Sequence, residues 1–165
     1  MATHGTENAV QAEARAVQLA KALDAELYGL YVIHKDWGAL IGIEWLHSSE
    51  KRMDFYRYTE AELYRMADAV LAGLVRRGEA QGLRVKPSVR VGRMEEAIAE
   101  EAAALGADLI VIGSSGSPRS EEYRAKISLN KLTKAAPCSV LRVKADAGEG
   151  RATSSPPKLD SPVRG

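Results

Sequence analysis

The residues with the clearest potential for chemistry lie in one glycine- and serine-rich stretch. Gly113, Ser114, Ser115 and Gly116 follow an apolar run and precede a polar segment that favours a helix. Glycines let the backbone approach a ligand closely, and the N–H groups at the start of a helix bind anions. The pattern indicates a phosphate-binding loop. The alternative is a loop whose serines only satisfy local turn bonds.

The histidines, the cysteine and the acidic pairs indicate no catalytic or metal site. His4, His34 and His47 are scattered and have no partners at metal-ligand spacing. Cys138 follows a proline at the start of an apolar run, which is typical of a small buried residue and not of a nucleophile. Two acidic pairs, Glu95-Glu96 and Glu100-Glu101, are expected to lie on the solvated face of a helix.

Length and composition favour one soluble domain. The chain has 165 residues, of which 45% are hydrophobic and 27% charged, and its net charge is +1. This balance argues against nucleic-acid or membrane partners, and no apolar run reaches the roughly 20 residues of a membrane span. A single cysteine and the lack of a signal-peptide pattern predict a cytoplasmic location.

Helices and strands are predicted to alternate along the chain. Helices are expected over about 6–23, 49–80, 94–105 and 120–135, and strands over about 25–34, 83–92, 107–115 and 138–144. Alternation of this kind predicts a parallel, doubly wound α/β sheet that binds ligands at the carboxyl ends of its strands. Gly113 lies at such an end, and Pro87 places its strand at a sheet edge.

The first helix and the end of the chain complete this outline. Thr6 is the predicted N-cap of the first helix, and Val10, Ala14 and Val17 are its predicted buried stripe. Residues 145–165 are rich in Pro, Gly, Ser and charge and are expected to form a disordered tail. The predicted domain is therefore residues 1–144.

Two segments resemble the universal stress protein family: GADLIVIGSSG, and AAPCSVLRVK further on. The resemblance covers about His4 to Lys144. It implies a parallel five-stranded, Rossmann-like α/β sandwich, similar to that of the adenine nucleotide alpha hydrolases. It also implies a homodimer formed through the last strand, Cys138 to Lys144, whose exposed edge invites a two-fold partner. Some members of the family bind ATP, and others have lost the site.

The family's ATP-binding pattern is only half present. It consists of Gly, two residues, Gly, nine residues, and then Gly-Ser or Gly-Thr. Gly113 and Gly116 match its first half, whereas Lys126 and Ile127 replace the final pair and Ser128 is displaced by one position. The resemblance implies that any nucleotide would be bound by the following residues: Thr3, His4, Val32, Gly113, Ser114, Gly116, Lys126 and Ser128.

The amino terminus departs from the family as well. HGTEN, His4 to Asn8, resembles the family's Asp-Gly-Ser-Glu segment, with His4 in place of the aspartate. In the family an apolar central strand precedes this segment, but here only three residues do. The first central strand is thus expected to be missing or truncated. We favour a true start codon upstream of Met1 over a truncated, decaying copy, since the rest of the pattern is intact.

These observations predict a non-enzymatic, cytoplasmic, dimeric binding or regulatory module with a degenerate nucleotide site and an unidentified protein partner. The alternative is an ATP-binding switch, with ATP as cofactor and Lys126 replacing the lost hydroxyl contact. An enzyme of the wider adenine-nucleotide group ranks last, because no nucleophile, base or metal set supports it.

Overall fold

A computed structural model describes residues 1–40, 49–114 and 127–144, and within these ranges helices and strands alternate. In chain order the elements are β1 Ala2–Thr3, α1 Glu7–Ala22, β2 Leu27–His34, α2 Trp37–Leu40, α3 Ser49–Glu79, β3 Val85–Gly92, α4 Met94–Leu105, β4 Leu109–Gly113, α5 Leu129–Ala135 and β5 Ser139–Val143. The predicted α/β class is confirmed.

The strands form one parallel five-stranded sheet in the order β3-β2-β1-β4-β5. As predicted, β3 is an edge strand, and it carries Pro87 opposite Gly29. The last strand, β5, forms the other edge. The winding direction reverses at β1, so the carboxyl ends of β1 and β4 form the point at which open α/β sheets bind ligands.

The central strand is present. In β1, Ala2 and Thr3 pair with Leu30 and Tyr31 of β2, and Ala2 also pairs with Ile112 of β4. Two residues of the given sequence therefore lie between strands of eight and five residues. The first central strand is thus not missing, and whether it is truncated stays a prediction.

The buried face of α1 differs from the predicted stripe. Val10 and Ala14 are exposed, so the prediction was wrong for these two residues. Small side chains let the helix approach the sheet closely. A Cβ added to Gly113 at the end of β4 would lie 3.1 Å from the carbonyl oxygen of Asn8. The apolar residues that α1 buries are Ala9, Ala12, Ala16, Val17 and Ala20.

Helix ends follow local chemistry. Thr6 caps α1 as predicted, because its hydroxyl accepts a hydrogen bond from the Ala9 N–H at 3.4 Å. Gly106 ends α4 in the left-handed conformation, with φ of 60°. The last helix, α5, begins at Leu129 behind the N-cap Ser128. The predicted helix over 120–135 was thus too long at residues 127 and 128, and its earlier part lies outside the described residues.

Apolar side chains pack on both faces of the sheet. The cluster beneath α4 and α5 includes Leu30, Val32, Ile98, Ile112 and Leu132. The cluster beneath α1 and α3 includes Ala16, Val17, Leu27, Leu74 and Val111. Parallel strands buried on both faces need apolar residues at consecutive positions, which explains runs such as Leu109–Gly113.

Candidate functional site

The predicted site residues on three strands meet at the carboxyl edge of the sheet. Thr3 pairs with Tyr31, so His4 follows β1 close to Val32 of β2. On the other side, Ala2 pairs with Ile112, which brings Thr3 beside Gly113. The structure thus brings together Thr3, His4, Val32 and Gly113. Two further predicted site residues, Gly116 and Lys126, lie outside the described residues.

Thr3 points into the protein interior and joins a buried polar network. Its side chain is 5% exposed, and its hydroxyl donates a hydrogen bond to the carboxylate of Glu13 in α1. The guanidinium of Arg77 in α3 donates to the other oxygen of the same carboxylate, which is fully buried. A buried carboxylate is tolerated when it is paired and hydrogen-bonded in this way. The Thr3 hydroxyl therefore ties β1 to α1 and α3.

His4 lies at the start of the connection between β1 and α1. Its Nε2 atom is 3.2 Å from the hydroxyl of Thr6, the α1 N-cap. Gly5 follows with φ of +73°, a conformation that glycine adopts without strain. The Gly5 N–H contacts the Thr3 hydroxyl at 3.4 Å. The turn that leads into α1 thus holds His4 at the carboxyl edge of the sheet.

Gly113 and Ser114 are constrained by the fold itself. A Cβ on Gly113 would approach the Ala9 Cα to 3.2 Å, so a larger residue here would require a small shift of α1. The Ser114 N–H donates to the carbonyl of Val143 at 2.8 Å and extends the pairing of β4 with β5. This N–H is therefore already used within the sheet.

A carboxylate lies where the second half of the phosphate pattern would act. The Ser128 N–H donates to Oε1 of Glu95 at 2.7 Å, and the Ser128 hydroxyl accepts from the Lys131 N–H at 3.4 Å. Ile127, which replaces the family's hydroxyl residue, packs against the apolar cluster beneath α4 and α5. An anion at this position would have to displace Glu95 or lie beside its negative charge.

Val32 is 7% exposed and packs with Leu30, Ile98 and Ile112. This position suits a residue of the core, and its small exposed fraction leaves little area for a ligand. The apolar character of Val32 is explained by its place in the buried sheet.

Sequence reasoning missed three acidic side chains. Glu13 is buried on an alanine-rich helix face, Glu95 binds the Ser128 N–H, and Glu101 is 8% exposed and pairs with Arg90 at 2.5 Å. The prediction that Glu95 and Glu101 are solvated was therefore wrong. A signal for Glu13 existed, because it lies four residues from Ala9 and three from Ala16 on the buried face. No comparable signal links Glu95 to Ser128.

The described residues contain neither a candidate metal site nor a candidate membrane span. No group of three His, Cys, Asp or Glu side chains there could hold a metal ion. Over the same ranges, none of the helices combines the length and the apolar character that crossing a bilayer requires.

Comparisons with known proteins identify a family. The sequence profile of the universal stress protein family matches residues 1–144. No curated protein sequence gives a significant match. Among solved structures, the fold is similar to that of universal stress protein UspA from Lactobacillus plantarum, with 20% identity, 86% of this chain and 93% of that chain covered, and a TM-score of 0.63.

Two more solved structures extend the comparison. A protein of the same family from Burkholderia pseudomallei is 25% identical, with 87% of this chain and 92% of that chain covered and a TM-score of 0.55. A universal stress protein in complex with cAMP is 21% identical, with 87% of this chain and 93% of that chain covered and a TM-score of 0.58.

Proposed function

The chain belongs to the universal stress protein family, and from this premise we propose that it is a non-enzymatic, dimeric binding or regulatory module of the cytoplasmic stress response with a degenerate nucleotide site. In this proposal the chain retains the family's scaffold and acts through a protein partner. Nucleotides bind weakly or not at all.

The observation that carries the proposal is the hydrogen bond between the Ser128 N–H and Glu95. Phosphate sites of parallel α/β folds use N–H groups and positive charge to bind an anion. Here the N–H of the displaced serine already has a carboxylate partner, and the preceding Ile127 packs in the core. The Ser114 N–H is likewise bonded within the sheet. Both observations favour a weakened site.

The proposed dimer uses the edge strand β5. Leu141 is 38% exposed, and β5 pairs only with β4 among the described strands. An edge strand with exposed apolar residues can pair with a second copy of itself around a two-fold axis. A Leu141→Lys substitution should therefore produce a monomer at micromolar concentration in sedimentation experiments. The matched control is Val91→Lys on the opposite edge strand β3, where Val91 is 51% exposed; dissociation by both or neither would contradict the proposal.

The nucleotide part of the proposal is tested by calorimetric titration of the full chain with ATP and with cAMP, each with magnesium. We expect no heat of binding at micromolar nucleotide. Saturable binding of either nucleotide in the micromolar range would contradict a degenerate site.

A nucleotide-dependent switch is the second candidate, and the solved complex of a universal stress protein with cAMP favours it. Gly113, from the first half of the pattern, lies at the carboxyl edge in this fold. In this version Lys126 supplies the positive charge for the phosphates. Lys126→Ala should then weaken ATP binding at least ten-fold, whereas unchanged binding would exclude this role of Lys126.

A further inference from the structure

The amino-terminal half of α3 extends beyond the sheet. The helix has 31 residues and is therefore about 46 Å long. None of residues 53–66 is buried, whereas Ala67 and Leu74 are fully buried against the domain. A Cβ added to Gly5, which follows β1, would lie 2.5 Å from Val70, so α3 passes the carboxyl edge of the sheet near that residue. Residues 53–66 therefore continue about 6 to 25 Å past this edge.

This exposed half of α3 is rich in large apolar side chains. Among the described residues, six of the eleven large hydrophobic side chains that are exposed lie between positions 53 and 66. They are Met53, Phe55, Tyr56, Tyr58, Tyr64 and Met66. Single exposed apolar residues are normal in a soluble domain, but aromatic residues and methionine grouped with arginine are typical of protein interfaces. The composition therefore indicates an interaction surface.

Four exposed residues form a stripe along this half of the helix. They are Met53, Arg57, Glu60 and Tyr64. Their spacings of four, three and four place them within an arc of about 60°. Arg77, which contacts α1, lies about 130° away round the helix, so the four residues face away from α1. We call these four residues the α3 stripe.

The α3 stripe is complementary to a second copy of itself. It has an apolar residue at each end and one basic and one acidic residue between them. In an antiparallel pair of helices, Met53 of one copy meets Tyr64 of the other and Arg57 meets Glu60, and each contact occurs twice. A parallel pair would place Arg57 beside Arg57 and Glu60 beside Glu60, and like charges repel. The pattern therefore favours the antiparallel pair.

The side chains of the α3 stripe are available for these contacts. Met53 is 55% exposed and Tyr64 is 40% exposed, and a methionine sulfur attracts an aromatic ring. Within the ranges that the structure describes, Arg57 and Glu60 form no ion pair with any other side chain. Both charges can therefore pair with a second copy, where they would fix the orientation more than the affinity.

The position of the α3 stripe lets two whole domains approach each other. In the antiparallel pair, the two-fold axis passes midway between positions 57 and 60. This point is about 13 Å along the helix from Ala67, where burial in the domain begins. The two domains would thus lie at opposite ends of the paired segment, whereas a parallel pair would bring them side by side.

We propose that the α3 stripe is a contact surface for a second copy of this chain, which binds as an antiparallel helix pair around a two-fold axis. The contact does not depend on nucleotide binding. It is also separate from the proposed β5 dimer, because α3 packs on β2 and β3 and β5 is the opposite edge strand. The four side chains of each copy bury less than about 1,200 Å² in total, so we expect a weak dimer with a dissociation constant of roughly 100 µM.

The first test is a charge exchange followed by sedimentation equilibrium up to about 500 µM chain, five times the expected dissociation constant. Arg57→Glu makes both central residues of the α3 stripe acidic, and Glu60→Arg makes both basic, so each variant alone should associate at least ten-fold more weakly. An equimolar mixture of the two variants again joins opposite charges and should recover the association. A mixture that associates no better than the separate variants would overturn the antiparallel pair.

The matched controls are Glu62→Arg and Arg65→Glu, which are also three residues apart but lie on another side of α3. Each control should associate like the unaltered chain. Equal weakening by the controls and by the α3 stripe variants would overturn the assignment of this surface.

Disulfide trapping tests the register in a Cys138→Ala chain, which lacks the one native cysteine. Positions 53 and 64 are about 16 Å apart along one helix, too far for a disulfide within a chain. Met53→Cys with Tyr64→Cys should give linked dimers at least ten-fold faster than Asp54→Cys with Arg65→Cys, which has the same spacing on another side. Equal rates, or equally fast linking by Met53→Cys alone, would overturn the register.

The proposed β5 dimer is tested separately by Leu141→Lys, whose monomers should still associate through the α3 stripe at about 100 µM. Loss of this weak association in Leu141→Lys, together with normal association of Arg57→Glu, would overturn the α3 contact and leave the β5 dimer standing. Weakening by Arg57→Glu in a chain that Leu141→Lys does not affect would support the α3 contact and overturn the β5 dimer. Absence of both weak association and trapping would overturn the α3 contact in favour of a different protein on this surface.

Discussion

The two ends of the sheet differ in a way that the sequence does not suggest. The carboxyl end has the glycine-rich loop expected of a ligand site, yet the N–H groups of Ser114 and Ser128 already have partners within the protein. The amino end has no recognisable motif, yet the Met1 amino group is buried there and donates a hydrogen bond to the Tyr28 carbonyl at 2.8 Å. In the described residues, the end with the motif uses two backbone N–H groups internally, whereas the end without one buries a titratable group.

The difference teaches that a motif gives the residue types available to a ligand, whereas the contacts of those residues determine whether they can be used. Glu95 is the clearest example, because its carboxylate accepts a hydrogen bond from the Ser128 N–H and adds negative charge beside the displaced serine. Conversely, burial changes the pKa of the Met1 amino group, which no motif marks.

The largest expected effect is at the carboxyl end, in the buried network of Thr3, Glu13 and Arg77. Arg77→Ala leaves the fully buried Glu13 carboxylate without its cation and should lower the free energy of unfolding by about 3 kcal/mol. Urea denaturation measures this change. Arg76→Ala, an exposed change one residue earlier on α3, is the control and should stay within about 0.5 kcal/mol. Equal effects of the two substitutions would show that the network of Thr3, Glu13 and Arg77 does not stabilise the fold.

The Met1 amino group at the amino end should make stability depend on pH. Burial lowers the pKa of this group from 8.0 to about 6. Between pH 6 and 8 the unfolded chain therefore binds more protons than the folded one, and stability rises with pH. Two pH units correspond to about 2 to 3 kcal/mol in total, with no further contribution below pH 6 or above pH 8.

Denaturation at pH 6 and pH 8 measures this change on protein whose intact mass shows that Met1 is retained. Acetylation of the Met1 amino group removes its titration but leaves that of the histidines, so the difference between the two proteins isolates the amine. The same pH dependence in both would mean that the Met1 amino group is solvated and not buried.

The fold was largely predictable, because hydrophobic periodicity, helix caps and proline positions are local signals. Pro87 placed β3 at an edge, and Thr6 marked the start of α1. The site was less predictable, because its decisive contacts join residues far apart in sequence. The bond from Ser128 to Glu95 spans 33 positions and that from Arg77 to Glu13 spans 64.

A smaller effect concerns the first glycine of the loop. Gly113→Ala places a Cβ 3.1 Å from the Asn8 carbonyl oxygen and 3.2 Å from the Ala9 Cα, so α1 must shift. We expect a loss of about 1 to 3 kcal/mol in the free energy of unfolding. In Gly92→Ala, at the end of β3, the added Cβ would meet only the Ala97 Cβ at 3.3 Å, and the cost should be smaller. A neutral Gly113→Ala would favour a ligand-binding reason for this glycine over a packing reason.

The smallest expected effect tests whether Glu95 is what closes the carboxyl end to anions. Glu95→Gln keeps an oxygen acceptor for the Ser128 N–H but removes the charge, so the fold should be preserved and the residual affinity for ATP should rise. A gain of about 1 kcal/mol, roughly five-fold, is typical of removing one partly solvated like charge. Chemical-shift titration reads such weak affinities, and Glu96→Gln, on the exposed side of the same turn, is the matched control. A gain in Glu95→Gln alone would show that this carboxylate restricts nucleotide binding. If neither variant gains affinity, the Glu95 charge does not restrict nucleotide binding, and the packing of Ile127 and the bond of the Ser114 N–H to Val143 become the next features to test.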